Sequence, residues 1–190
     1  MAHRMLTTAP MSRTVLALVL VAASASVASA GPFVGLGIGT GAASSGELDT
    51  LDENGRSGRL MVGYRFPALG PGQISIEGLG TRYGMISPDG TERTGTTLGL
   101  AGKYSFPLQD NFEVFGRLGL QRTSISDVSG SGMLIGAGAA FKLPVAVANI
   151  SVFVDYTIQH SSLSGPVSPT QYTDAGLTSR IWTLGALLSF

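Results

Sequence analysis

The sequence predicts an all-β protein, an eight-stranded antiparallel up-and-down transmembrane β-barrel. Three observations carry that reading. Eight segments alternate in side-chain character with a period of two, most of them about ten residues long, the length that crosses a bilayer when tilted by about 45°. The links between them alternate between short, proline-opened turns and longer polar loops. The mid-strand charges of the segments all fall on one parity, and most of the large apolar residues fall on the other.

The chain has 190 residues, 12 Lys plus Arg against 12 Asp plus Glu, no Cys and 13% charged residues, where globular proteins average about 25%. A neutral, charge-poor chain has no footprint for nucleic-acid phosphates. Without Cys it has neither a disulfide framework nor a thiolate metal site. A mean hydropathy of +0.30 excludes a disordered chain.

Residues 1–30 are set apart first. Met1 to Arg13 holds Arg4 and Arg13 with no acid, Thr14 to Ala23 is an apolar run, and Ser24 to Ala30 is small and ends Ala28-Ser29-Ala30. This is the pattern of a secretory signal peptide with an A-x-A cleavage site. The apolar run is too short for a membrane-spanning helix, which needs about 20 residues. The expected mature chain, 31–190, is then a single barrel domain delivered beyond the inner membrane.

The strands expected in order are Phe33 to Thr40, Ser57 to Phe66, Ile74 to Tyr83, Thr96 to Phe106, Phe112 to Arg122, Gly132 to Leu143, Ile150 to His160 and Leu177 to Phe190. Pro67, Pro107 and Pro144 open the short links. The longer polar stretches, Ala42 to Arg56, Gly84 to Gly95, Thr123 to Ser131 and Ser161 to Gly176, are expected as loops at the opposite end. Long on one side and short on the other is the asymmetry of an outer-membrane barrel.

Orientation follows from charge. One parity carries Leu60, Val62 and Tyr64 in the second strand, Leu118 and Leu120 in the fifth, and Trp182, Leu184, Ala186, Leu188 and Phe190 in the last. The other carries Arg59, Arg65, Glu77, Lys103, Glu113, Arg117, Lys142 and Asp155. Placing Arg or Lys against lipid at mid-depth costs about 2–4 kcal/mol each, so the charged parity is expected inside. Eight strands enclose a space that side chains fill, so these charges are expected to pair into a plug rather than line a pore. Glycines concentrate on the same inner parity, at Gly35, Gly37, Gly39, Gly63, Gly99, Gly119, Gly136, Gly138 and Gly185, with Gly78, Gly80, Gly102 and Gly116 outward. The run Gly37 to Ala42 formally matches a dinucleotide fingerprint, but neither the helix nor the acidic residue that chemistry needs follows it.

The Gly-rich first strand Phe33 to Gly39, the hairpin repeats around Pro67, Pro107 and Pro144, and the terminal strand Ile181 to Phe190 resemble the small outer-membrane β-barrel family typified by the transmembrane domain of outer-membrane protein A. The resemblance covers Gly31 to Phe190. It implies residence in the outer membrane of a Gram-negative bacterium as a monomer, with outer-membrane lipid and lipopolysaccharide as surroundings. It also implies that the alternating last strand, through Trp182, Leu184, Ala186, Leu188 and Phe190, is read by the barrel-assembly machinery. No peptidoglycan-binding domain is expected to follow, so no cell-wall tether is implied.

Function is then expected in the loops, as a structural or surface-interaction role such as adhesion or recognition. A narrow porin is a less favoured alternative, because of the strand count. Arg82, Arg122 and Arg180 lie on the lipid parity near the strand ends that meet the long loops, where a guanidinium can grip lipopolysaccharide phosphates. The enzyme alternative uses His160, Ser162 and Asp174 as base, nucleophile and orienter. It is similar to the lipid A deacylase barrels, whose family has a His-x-Ser-Asn stretch and a later Glu. Here Leu163 stands where that family has Asn, and Asp174 is shorter than Glu. No cofactor or metal is expected: loop one groups Glu47, Asp49, Asp52 and Glu53, but their spacing matches no calcium loop.

Overall fold

The computed structural model describes residues 30–45, 55–67, 71–86, 92–125, 128–144, 149–168 and 171–190. The expected leader and the acidic loop-one residues Glu47, Asp49, Asp52 and Glu53 lie outside the described residues. Eight strands form: β1 Gly31–Ser45, β2 Gly55–Arg65, β3 Gln73–Ile86, β4 Glu92–Gln109, β5 Phe112–Ile125, β6 Val128–Lys142, β7 Asn149–Ser168 and β8 Gln171–Ser189. Each pairs antiparallel with the next, and β8 pairs with β1 from Phe33↔Ser189 to Ser45↔Leu177, closing the barrel. The end carrying the β1–β2, β3–β4, β5–β6 and β7–β8 connections is the upper end.

Following the register once around the wall fixes the geometry. The path runs from Phe33 through Gly63, Glu77, Ala101, Gly119, Leu134, Gln159 and Ser179. It returns to β1 at Ala43, ten residues above its start. A shear of ten over eight strands, with about 3.3 Å per residue and about 4.8 Å between strands, sets a strand tilt of about 40°.

Alternation along each strand sends large apolar side chains outward, where Leu36, Leu98, Leu120 and Trp182 are exposed, and closes the interior. Inside, Phe33, Met61, Leu79, Phe115, Leu134, Phe153 and Leu187 form one apolar cluster. Tyr83, Leu163 and Leu177, with Ile125 against them, form a second near the upper rim. The two classes of glycine separate physically. A Cβ on inward Gly185 would sit 2.5 Å from Phe153 Cζ and one on Gly63 2.5 Å from Phe33 Cζ, whereas outward Gly116 and Gly102 have nothing closer than 3.9 Å. The inward glycines are therefore the space into which the core aromatics fit.

The strands outrun their expected upper limits. Residues 161–168 and 171–176, expected as loop, continue β7 and β8. The stretches 84–86 with 92–95, and 123–125 with 128–131, likewise pair as strand. Along these extensions the outer face loses most of its large apolar side chains, so apolar alternation fades while backbone pairing does not. Pairing of β7 with β6 ends at Ser129↔Ser164. Pairing of β8 with β1 ends at Leu177. The β7–β8 ribbon then continues alone to Ser168↔Gln171. At the lower end Pro107, expected in the turn, stays in register opposite Glu113. A register shift between Pro107 and Gln109 absorbs the missing donor, and Asp110-Asn111 make the turn.

Candidate functional site

Inside the barrel, five strands deliver one chain of alternating charge. β2 brings Arg59, β7 Asp155, β5 Arg117, β3 Glu77 and β4 Lys103, all buried. Arg59 Nη1 donates to Asp155 Oδ1 at 2.8 Å and Oδ2 at 3.1 Å, and Arg117 Nη2 donates to Asp155 Oδ2 at 3.0 Å. Thr157 Oγ1 donates a further bond to Asp155 Oδ1 at 3.2 Å. Arg117 Nη1 lies 3.1 Å from Glu77 Oε1, and Lys103 Nζ 3.6 Å from Glu77 Oε2. These last are ionic contacts without hydrogen-bond geometry, since neither Glu77 oxygen has a hydrogen-bond partner.

The cations also rest on aromatic faces. Lys103 Nζ is 5.0 Å from the ring centroids of both Phe33 and Phe115, and Arg117 Cζ is 5.1 Å from that of Phe115. Above this layer the hydroxyls of Thr97, Thr123 and Ser161 link at 3.2 and 2.9 Å, with Gln121 Nε2 donating to Ser161. Below it Arg65 and Glu113 stand 3.6 Å apart. Lys142 does not join. It is the last residue of β6, exposed at the lower rim, and makes no ion pair among the described residues. Parity alone placed it inward, but its height puts it beyond the lumen.

On the outer face Arg82, Arg122 and Arg180 are exposed. Arg56, the first outward residue of β2, belongs with them and was passed over as a loop residue in the sequence. The signal for it is an offset of ten: Arg56 to Phe66, Arg122 to Phe112 and Arg180 to Phe190 on three different strands. At the tilt found, ten residues rise roughly 25 Å, the height of the apolar band of an outer-membrane barrel. Arginine thus marks the upper border of that band and phenylalanine the lower, with Tyr64, Tyr104, Phe106 and Phe141 exposed along the lower one. Trp182, Leu184 and Ala186 of the expected assembly strand are exposed on this face, and Leu188 and Phe190 are half-buried. Trp182 stacks on Tyr156 at 4.8 Å between centroids.

His160 and Ser162 also face outward, at the level of the arginines. His160 Nδ1 lies 3.0 Å from Thr178 Oγ1, its cross-strand neighbour. Gly176 stands opposite Ser162 and Asp174 opposite Ser164. Asp174 is thus four positions along β8 from Thr178, the cross-strand partner of His160, about 13 Å of strand. Leu163, at the position where the deacylase barrels have Asn, is buried in the upper interior cluster.

A closed wall with a greasy exterior and an ion-paired interior defines an integral β-barrel membrane protein. The chain belongs to the outer membrane protein beta-barrel domain family, whose model matches residues 14–190. Its place is therefore the outer membrane.

Among solved structures it is similar to Neisserial surface protein A, with 17% identity over 85% of this chain and 99% of that one and a TM-score of 0.59. It is similar to Ail, the attachment invasion locus protein of Yersinia pestis, with 17% identity over 84% and 97% and a TM-score of 0.54. It is also similar to the outer membrane enzyme PagL, with 15% identity over 83% and 99% and a TM-score of 0.51. At such identities the likeness is one of fold. No curated protein matches the chain in sequence.

Proposed function

We propose that the protein is a monomeric outer-membrane barrel that works at the cell surface, as a structural or interaction protein, with its lumen shut to permeation. The observation that carries this reading is the Arg59–Asp155–Arg117–Glu77–Lys103 chain, which crosses the interior with its cations packed on Phe33 and Phe115 of the larger apolar cluster. With the interior filled, what remains available to a partner is the upper surface, above all the β7–β8 ribbon beyond Ser164 and Leu177. Two similar folds, a Neisserial surface protein and an attachment invasion locus protein, are consistent with such a role. In this reading Arg82, Arg122 and Arg180 sit among lipopolysaccharide phosphates of the outer leaflet, and the terminal strand of Trp182, Leu184, Ala186, Leu188 and Phe190 serves barrel assembly.

The test has two arms. Replacing residues 165–175 by a Gly-Gly turn is expected to leave a heat-modifiable barrel in the outer membrane and to abolish adherence of expressing cells to matrix-coated surfaces. Planar bilayers containing the intact protein are expected to show no unitary current steps. Adherence that survives the shortening, or discrete conductance, would reject the proposal.

The enzyme reading draws on the outer-face His160 and Ser162 and on the PagL-like fold. The register of Asp174 and the inward Leu163 weigh against it. Lipid A from expressing cells is expected to keep all its acyl chains by mass spectrometry. Loss of one chain, restored by His160→Ala, would install the hydrolase instead.

A further inference from the structure

The outer face of the β2–β3 hairpin is thinner than the wall around it. Its successive outward pairs are Gly58 with Arg82, Leu60 with Gly80 and Val62 with Gly78, so each carries a glycine. A Cβ added at Gly58 would meet nothing within 4 Å, and one at Gly80 only Leu98 Cδ2 at 3.7 Å. The missing side chains form one end of a shallow trough of about 780 Å³ that crosses the outer face from Ala186 and Leu184 on β8, past Leu36 on β1, to Leu60, Gly80 and Arg82 on β2 and β3. Its floor is apolar, and its shape accepts an extended hydrocarbon chain.

Two arginines stand close together in register at the upper end of the trough. Arg82 stands opposite Gly58, and Arg56 lies two residues above Gly58 on the same face of β2, both exposed. Such diagonal neighbours are about 7–8 Å apart at the backbone, within the reach of two arginine arms on one anion. No acid stands on the outer face between the phenylalanine and arginine levels among the described residues. The other two outward arginines lack this arrangement. Arg122 faces Leu98 and Ser131, and Arg180 faces Ala42 and Ile158.

From this juxtaposition we infer that the β2–β3 face holds one phosphate-bearing acylated lipid of the outer leaflet, its phosphate clamped between Arg56 and Arg82 and an acyl chain lying over Gly58 and Gly80. The inference rests on the upper end facing the outer leaflet, and it replaces an undirected belt of arginines with a single oriented site. Two charges at one end and a tail-shaped trough at the other select a lipid over free phosphate, which would gain nothing from the trough.

The test uses the full mature chain, refolded from urea into lipid-free detergent and titrated with bisphosphorylated lipid A, with bound copies counted by native mass spectrometry. One tightly held copy is expected. R56A/R82A should weaken it by about a hundredfold, about tenfold for each guanidinium removed from the phosphate, whereas R122A/R180A should change it less than about threefold. G58L/G80L fills this end of the trough without touching the clamp and should weaken lipid A roughly tenfold while leaving inorganic phosphate binding unchanged. Heat-modifiable migration verifies that each variant is folded. Equal losses from the two arginine pairs would reduce the site to a belt and overturn the clamp, and full binding by G58L/G80L would overturn the trough. Adherence is read in a separate assay, so failure of the surface-interaction proposal and failure of this site give different results.

Discussion

Replacing Asp155 with Asn is expected to destabilise the barrel by about 3–5 kcal/mol, the usual cost of removing one partner from a buried ion pair. Asp155 accepts from Arg59, Arg117 and Thr157, and its side chain is fully enclosed. Asparagine keeps the shape but not the charge, and its amide nitrogen is a donor turned among donors. Glu77 would then face Arg59, Arg117 and Lys103 alone, with contacts to Arg117 and Lys103 that already lack hydrogen-bond geometry. Urea unfolding in lipid vesicles, followed through the single tryptophan, Trp182, reads the change directly. Glu113→Gln is the matched control. Its partner Arg65 is 3.6 Å away near the lower rim, with side chains 8% and 11% exposed, and Glu113 has this one ion-pair contact where Asp155 has two, so a smaller loss than for Asp155→Asn is expected. A loss below about 1 kcal/mol for Asp155→Asn would mean that water screens the network, and the case for a sealed lumen would fail with it.

The same residues show which parts of the architecture the sequence expresses. Between Arg56 and Phe66, or Phe112 and Arg122, every position has a chemical reason to alternate: lipid on one side, a crowded interior on the other. Strand number, orientation and seven of the eight interior charges are legible for that reason. Lys142 is the eighth. Parity is a statement about face and carries no height, and at the end of a strand the inward face opens to water. The upper ends of β7 and β8 were illegible because Ser161-Ser162-Leu163-Ser164 puts serine on both faces, and the single inward Leu163 is too little to show a period. Partner choice inside the lumen is a property of the barrel's shear, which sets which heights on β2, β5 and β7 coincide. Asp155 lies 96 residues from Arg59, and no local pattern relates them.

Leu118→Arg should cost about 2–4 kcal/mol in a bilayer, because it places a guanidinium at mid-depth on the lipid face. Leu118 is 56% exposed on β5, between Phe112 at the lower border and Arg122 at the upper one. An arginine at this depth is too far from either border to extend its head group fully into water, so the membrane must deform or the charge must be dehydrated. Thr96→Arg supplies the depth control. Thr96 is exposed on β4 opposite Arg82, at the level where the wall already carries arginine, and a cost near 0–1 kcal/mol is expected there. Comparing urea midpoints of the two variants in vesicles cancels what is common to any added arginine and leaves the depth term. If the outer face met water, both substitutions would be neutral or would improve solubility, since an exposed Leu gains nothing from solvent that Arg would lose. Equal midpoints for the two variants would therefore contradict the placement of hydrocarbon between the phenylalanine and arginine levels, and a difference of the expected size requires it.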